Sequence, residues 1–134
     1  MITLTRGRAR RYAVAAFALA PLALGACGGD DGGSSDVTAP ADATLVVEAL
    51  NLKFDKKDYT ATAGDQLIAY LGIDSQRHTL IVTDESDTQL GKEAKVDKGD
   101  VDTIETTLAA GTYSLICTVP GHAAAGMTAT LTVS

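Results

Sequence analysis

GTYSLICTVPGHAAAGMTATLTV, residues 111–133, reads as two strands joined by a loop. In its second half Met127, Ala129, Leu131 and Val133 share one face while Thr128, Thr130 and Thr132 share the other. That is the period-two alternation of a half-buried strand. In its first half Tyr113, Leu115 and Cys117 alternate in the same way with Ser114, Ile116 and Thr118. Pro120 and Gly121, residues that favour turns, interrupt the pattern between them.

Working outward from this pair, short runs rich in Val, Ile, Thr and Leu recur at Thr44–Leu50, Asp58–Thr62, Gln66–Gly72, His78–Thr83 and Asp102–Leu108, separated by Gly, Asp, Asn and Lys. With Gly111–Thr118 and Met127–Val133 they make seven candidate strands in about 90 residues, which predicts an all-β fold, an antiparallel sandwich. No sustained 3.6-residue apolar pattern and no internal repeat is visible beyond Thr44. Residues 85–99 are the least strand-like part and are expected to form a long excursion with a helical turn. Gly111-Thr112-Tyr113, four residues before Cys117, resembles the tyrosine corner of Greek-key sandwiches, in which the phenol hydrogen-bonds back to the backbone.

The N-terminal third has a different composition. Arg6, Arg8, Arg10 and Arg11 precede an uncharged apolar run from Tyr12 to Ala26, the arrangement of a secretory signal and shorter than the about 20 residues that span a bilayer. The run ends Leu24-Gly25-Ala26-Cys27, which resembles the lipobox of bacterial lipoproteins. That resemblance implies cleavage before Cys27 and a lipid on its thiol, giving a signal over residues 1–26. An ordinary signal with an incidental cysteine is the simpler alternative. Residues 27–43, GGDDGGSSDVTAP and neighbours, have little to bury and read as a flexible acidic tether. The folded domain is therefore expected over residues 44–134.

Losing the four arginines of the signal leaves 7 Lys and Arg against 17 Asp and Glu, a formal charge of −10. Such acidity argues against nucleic acid as a partner. Anionic lipid would repel the domain, so membrane association would come through the lipid on Cys27. Basic patches on partner proteins would be attracted.

Chemistry concentrates between Cys117 and Met127. Within those eleven residues lie the domain's one cysteine, its one methionine and one of its two histidines, His122. The other, His78, stands 39 residues before Cys117 at the start of a predicted strand. Taken singly, each has an ordinary reading: a small buried thiol, a core thioether, a polar residue at a strand end. Together, two imidazoles, a thiolate and a weak thioether are the ligand set of a blue-copper site. Cys117 would end one strand and Met127 begin the next, with the loop wrapped around one ion and Pro120-Gly121 turning His122 back toward it. Zinc seldom uses methionine. A binuclear copper site would need a second cysteine in the loop, and no hydrolytic triad can be assembled without a ligand histidine, so an enzyme is not expected.

The pattern Cys117-x4-His122-x4-Met127, with Thr-Val-Pro-Gly between the first two, resembles the cupredoxin family, with spacing most like that of auracyanin-type proteins. The resemblance covers residues 44–134. It implies a Greek-key β-sandwich holding one type 1 copper ion, cycling between Cu(I) and Cu(II). His78, Cys117 and His122 would be the strong ligands and Met127 the long axial one. It also implies sulfur-directed backbone N–H groups at Thr79 and Val119. Where many cupredoxins carry an Asn that ties two loops, Thr79 stands here, which predicts a weaker or missing tie. The implied role is a monomeric one-electron carrier on the outer face of a membrane, meeting redox partners near His122 through the uncharged surface of Pro120, Gly121 and Ala123–Ala125. Copper delivery or sequestration with the same ligands is the alternative, and a metal-free interaction domain a third.

Overall fold

The computed structural model describes residues 37–134. The expected signal, Cys27 and most of the tether lie outside them. Nine strands and no helix appear among the described residues: β1 (Leu45–Leu50), β2 (Lys53–Phe54), β3 (Asp58–Ala61), β4 (Gly64–Gly72), β5 (His78–Thr83), β6 (Gln89–Val96), β7 (Val101–Leu108), β8 (Gly111–Ile116) and β9 (Thr128–Val133). They form a sandwich of two sheets, one in the order β2-β1-β4-β7 and the other β3-β9-β8-β5-β6.

The alternation read in the sequence is the alternation that packs. On β9, Ala129, Leu131 and Val133 are buried while Thr130 and Thr132 are exposed. Leu80 and Val82 of β5, Leu115 of β8, Val47 of β1, Ile68 and Tyr70 of β4 and Ile104 of β7 meet them from the two inner faces, all fully buried. Phe54 and Tyr70 stack edge to face, with centroids 6.1 Å apart, and supply much of the aromatic volume of a chain without tryptophan. The Tyr113 hydroxyl donates to the Ala109 carbonyl oxygen at 2.8 Å, closing the expected tyrosine corner.

Two features differ from the sequence reading. Residues 85–99 are no helical excursion. Asp84 Oδ1 accepts the N–H groups of Ser86 and Thr88 and turns the chain into β6, which pairs with β5. As an edge strand β6 buries little beyond Ala94 and Val96; it carries Lys92, Glu93 and Lys95, the charges that keep an edge from pairing with another chain. A register shift opposite Ile81 further breaks its alternation. The second difference is that β1 with β4 and β3 with β9 are parallel pairs where an antiparallel arrangement was expected. After β2 the chain crosses to the other sheet as β3 before returning as β4, and such a crossover is what a parallel pair requires.

This topology gathers three strand ends. Since β8 runs antiparallel to both β5 and β9, with Ile81 opposite Ile116 and Ile116 opposite Thr128, the end of β8 lies beside the starts of the other two. Cys117, His78 and Met127 stand at those ends.

Candidate metal centre

The loop from Cys117 to Met127 is built from consecutive turns. Pro120 and Gly121 occupy the middle of the first, in which the His122 N–H donates to the Val119 carbonyl oxygen at 3.0 Å. Gly121 has φ +85°, the left-handed conformation a type II turn needs after proline. The Ala125 and Met127 N–H groups then both donate to the His122 carbonyl oxygen, at 3.1 and 3.0 Å, and the Cys117 N–H donates to that of Met127 at 3.2 Å. The loop thus closes on itself, with the backbones of all three candidate ligands tied together. Lys57 clamps its far end: the ammonium donates to the carbonyl oxygens of Gly126 and Thr128, on either side of Met127.

His78 reaches the same point from the opposite direction. It shares the inward face of β5 with Leu80 and Val82 and is fully buried. Its Nε2 lies 2.9 Å from Asp74 Oδ1. A carboxylate can only accept, so Nε2 carries the proton and Nδ1 is left with a free lone pair. Burial works against the charge on Asp74, but N–H donors from Asn51 and Gln76 and the contact with His78 outweigh it and hold the carboxyl below its usual range. His78 Nδ1 is buried and has no hydrogen-bond partner.

The donor atoms of His78, Cys117 and His122 all lie within 4.8 Å of one another. Cys117 Sγ is 3.6 Å from His122 Nδ1, and the imidazole centroids are 5.2 Å apart. Metal–nitrogen and metal–sulfur bonds of about 2.0–2.3 Å would need only a small contraction of this cluster. An orphaned buried nitrogen beside a thiol and a second imidazole fits a metal, and the soft donor set fits copper. Met127 is fully buried at the foot of β9, next in the backbone ladder to Cys117.

A family model described as copper binding proteins, plastocyanin/azurin family, matches residues 41–134. The chain belongs to that family. Its cluster fits a single type 1 copper site. Among solved structures, this copper-protein fold is shared with auracyanin from the photosynthetic bacterium Roseiflexus castenholzii, at 24% identity and a TM-score of 0.61 over 71% of this chain and 99% of that one. Auracyanin B follows at 22% and 0.57, over 73% and 93%. Amicyanin from Paracoccus versutus follows at 20% and 0.55, over 72% and 85%. No curated protein sequence matches.

Around the sulfur, the Thr79 hydroxyl lies 3.6 Å from Cys117 Sγ, and the Val119 carbonyl oxygen closes the turn to His122. The tie between loops is kept. Thr79 Oγ1 accepts the Thr118 N–H at 2.7 Å and lies 2.8 Å from Thr118 Oγ1. Thr79 makes the tie that was expected to be weaker or missing, because the register of β5 against β8 brings residues 79 and 118 opposite each other. Several supporting residues escaped the sequence reading, Lys57 and Tyr70 among them. Asp74 was legible only as a carboxylate four residues before a candidate ligand, and Glu93 sits in the region read as an excursion. Tyr70 donates to the Thr79 carbonyl oxygen at 3.1 Å. Burial, with Cys117 and Asp74 nearby, pushes its ionisation upward, so it stays a neutral donor.

Proposed function

We propose that this chain is a one-electron carrier that would hold a single copper ion through His78 Nδ1, Cys117 Sγ and His122 Nδ1, with the Met127 thioether as a fourth, weaker ligand. The observation that carries this is the fully buried, unpartnered His78 Nδ1 within the three-donor cluster. Bound there, copper supplies a Cu(I)/Cu(II) couple. Asp74 holds the His78 ring in the tautomer that offers Nδ1. Cys117, on the buried end of β8, keeps the thiolate from water and from other thiols. The closed loop sets His122 and Met127 in place before any ion arrives, so little has to rearrange between oxidation states. His122 is half-buried, flanked by exposed, uncharged Pro120, Gly121, Ala124 and Ala125. A redox partner can therefore approach its ring edge without stripping water from a charge, while the Thr79 hydroxyl stands 3.6 Å from the sulfur.

The reading extends to location. Export under the signal of residues 1–26, with a lipid on Cys27, would place the domain on the outer face of a membrane, the tether of residues 27–43 giving it reach to its partners. Spectroscopy, exchange kinetics and mass spectrometry test the carrier and its anchor. Copper-loaded protein should show an intense thiolate-to-Cu(II) visible band and the EPR signature of a type 1 site, and it should exchange electrons faster than it releases metal. A colourless Cu(II)-loaded protein overturns the copper reading, and copper handed to an acceptor protein without redox turnover turns the carrier into a delivery module. Mass spectrometry of the membrane fraction should find diacylglyceryl on Cys27; an unmodified Cys27 there overturns the anchor.

A further inference from the structure

Cys117 Sγ, Thr79, Thr118 and Glu93 form a line from the buried thiol to the surface, and its protons can be counted. Thr118 Oγ1 lies 2.8 Å from Glu93 Oε2. Glu93 also pairs with Lys95, at 3.1 Å through its other oxygen. Hydrogen bonds from Thr118 and then Lys95 hold its carboxyl below the usual range. An ionised carboxylate only accepts, so the single hydroxyl proton of Thr118 goes to Glu93. Thr118 Oγ1 and Thr79 Oγ1 are 2.8 Å apart, a separation that requires a proton between them. Thr118 has none left to give, so Thr79 is the donor. Thr79 has one hydroxyl proton, and this assignment uses it. Although Thr79 Oγ1 stands 3.6 Å from Cys117 Sγ, its proton points away from the sulfur.

We infer that Glu93 and Thr118 are positioning residues that withhold the Thr79 hydroxyl proton from the Cys117 thiolate, keeping the sulfur electron-rich and the reduction potential lower than this pocket would otherwise set. The inference rests on the copper reading above. Hydrogen bonds to the cysteine sulfur are a lever on potential in such sites: a donor draws charge from the thiolate, weakens its bond to Cu(II) more than to Cu(I), and raises the potential. The shift opposite Ile81 in the β5–β6 register gives the arrangement its origin, since it is at such irregularities that strands re-aim side chains. Here β6 delivers Glu93 across β5 to Thr118.

The test is Thr118→Val, which removes the acceptor without changing charge and leaves the Thr118 N–H in place. With nowhere else to go, the Thr79 proton turns to sulfur. In the copper-loaded full chain the thiolate-to-Cu(II) band should move to higher energy and the copper–sulfur stretch in resonance Raman should fall. The oxidised-to-reduced ratio at fixed poise should drop by up to about tenfold, equivalent to about 59 mV for a one-electron couple. In a Thr79→Val background, Thr118→Val should change none of these. If Thr118→Val fails to load copper, Glu93→Ala and Glu93→Gln decide. Both remove the charge, but glutamine keeps an acceptor for Thr118, so alanine should shift the band and glutamine should not. No band shift in Thr118→Val, a shift that persists without the Thr79 hydroxyl, or equal effects of Ala and Gln would each overturn the inference. A wild-type protein without the visible band would instead sink the copper reading itself.

Discussion

The two histidines of the site are held in opposite ways. His78 belongs to a strand, is fully buried, and is fixed by a carboxylate on the far side of its ring. His122 belongs to a loop, is half-buried, and owes its position to backbone turns, with Cys117 Sγ 3.6 Å from its Nδ1 and, among the described residues, no carboxylate behind its ring. The contrast divides the work. A strand-borne ligand inherits the rigidity of the sandwich and gives up access to solvent. A loop-borne ligand can meet a partner only if its loop is closed by its own hydrogen bonds, and the loop from Cys117 to Met127 is.

Four substitutions would break or sharpen that comparison. Cys117 belongs to both halves, ending β8 and opening the loop. Cys117→Ser should abolish the thiolate-to-copper band altogether, read by visible absorption; a retained band would place the thiolate elsewhere. On the strand side, Asp74→Ala should free the His78 ring and lower copper affinity by about 10–100-fold in a competition titration, with the loop otherwise intact. An affinity equal to wild type would mean that burial alone orients the ring. On the loop side, Gly121→Ala meets no steric obstacle from the rest of the fold, for no atom beyond its own and the two adjoining residues lies within 4 Å of the added carbon. Its cost is therefore purely conformational, about 1–2 kcal/mol for a left-handed residue, visible in denaturant unfolding of the copper-free protein. The smallest effect is expected farthest away. Tyr113→Phe removes the corner hydrogen bond and should cost about 0.5–1.5 kcal/mol while leaving the visible spectrum unchanged. A spectral change there would show that the corner, too, supports the site.

Much of this was readable before folding was considered. Strict alternation in β9 and β8 marks strands because a period of two buries one face, and that signal survives wherever the outer face is neutral and polar, as with Thr128, Thr130 and Thr132. It fails for β6, where Lys92, Glu93 and Lys95 on an exposed edge and a register shift erase the pattern. It is also blind to direction: nothing in Leu45–Leu50 or Gly64–Gly72 announces that they pair in parallel.

By itself, then, the sequence determined which atoms can bind a soft metal, because only four side chains of the domain carry those donors and three of them fall in one loop whose Pro120-Gly121 turn is a local property. Tertiary structure alone decided how those atoms are presented. The partnership of His78 with Asp74, the clamp of Lys57 across Met127 and the line from Glu93 through Thr118 to Thr79 join residues up to 71 positions apart. The long-range contacts among these leave no periodic trace along a chain. They exist because the parallel pairing of β3 with β9 brings Lys57 to the loop and the antiparallel registers of β5 with β6 and β8 bring Glu93, Thr79 and Thr118 together.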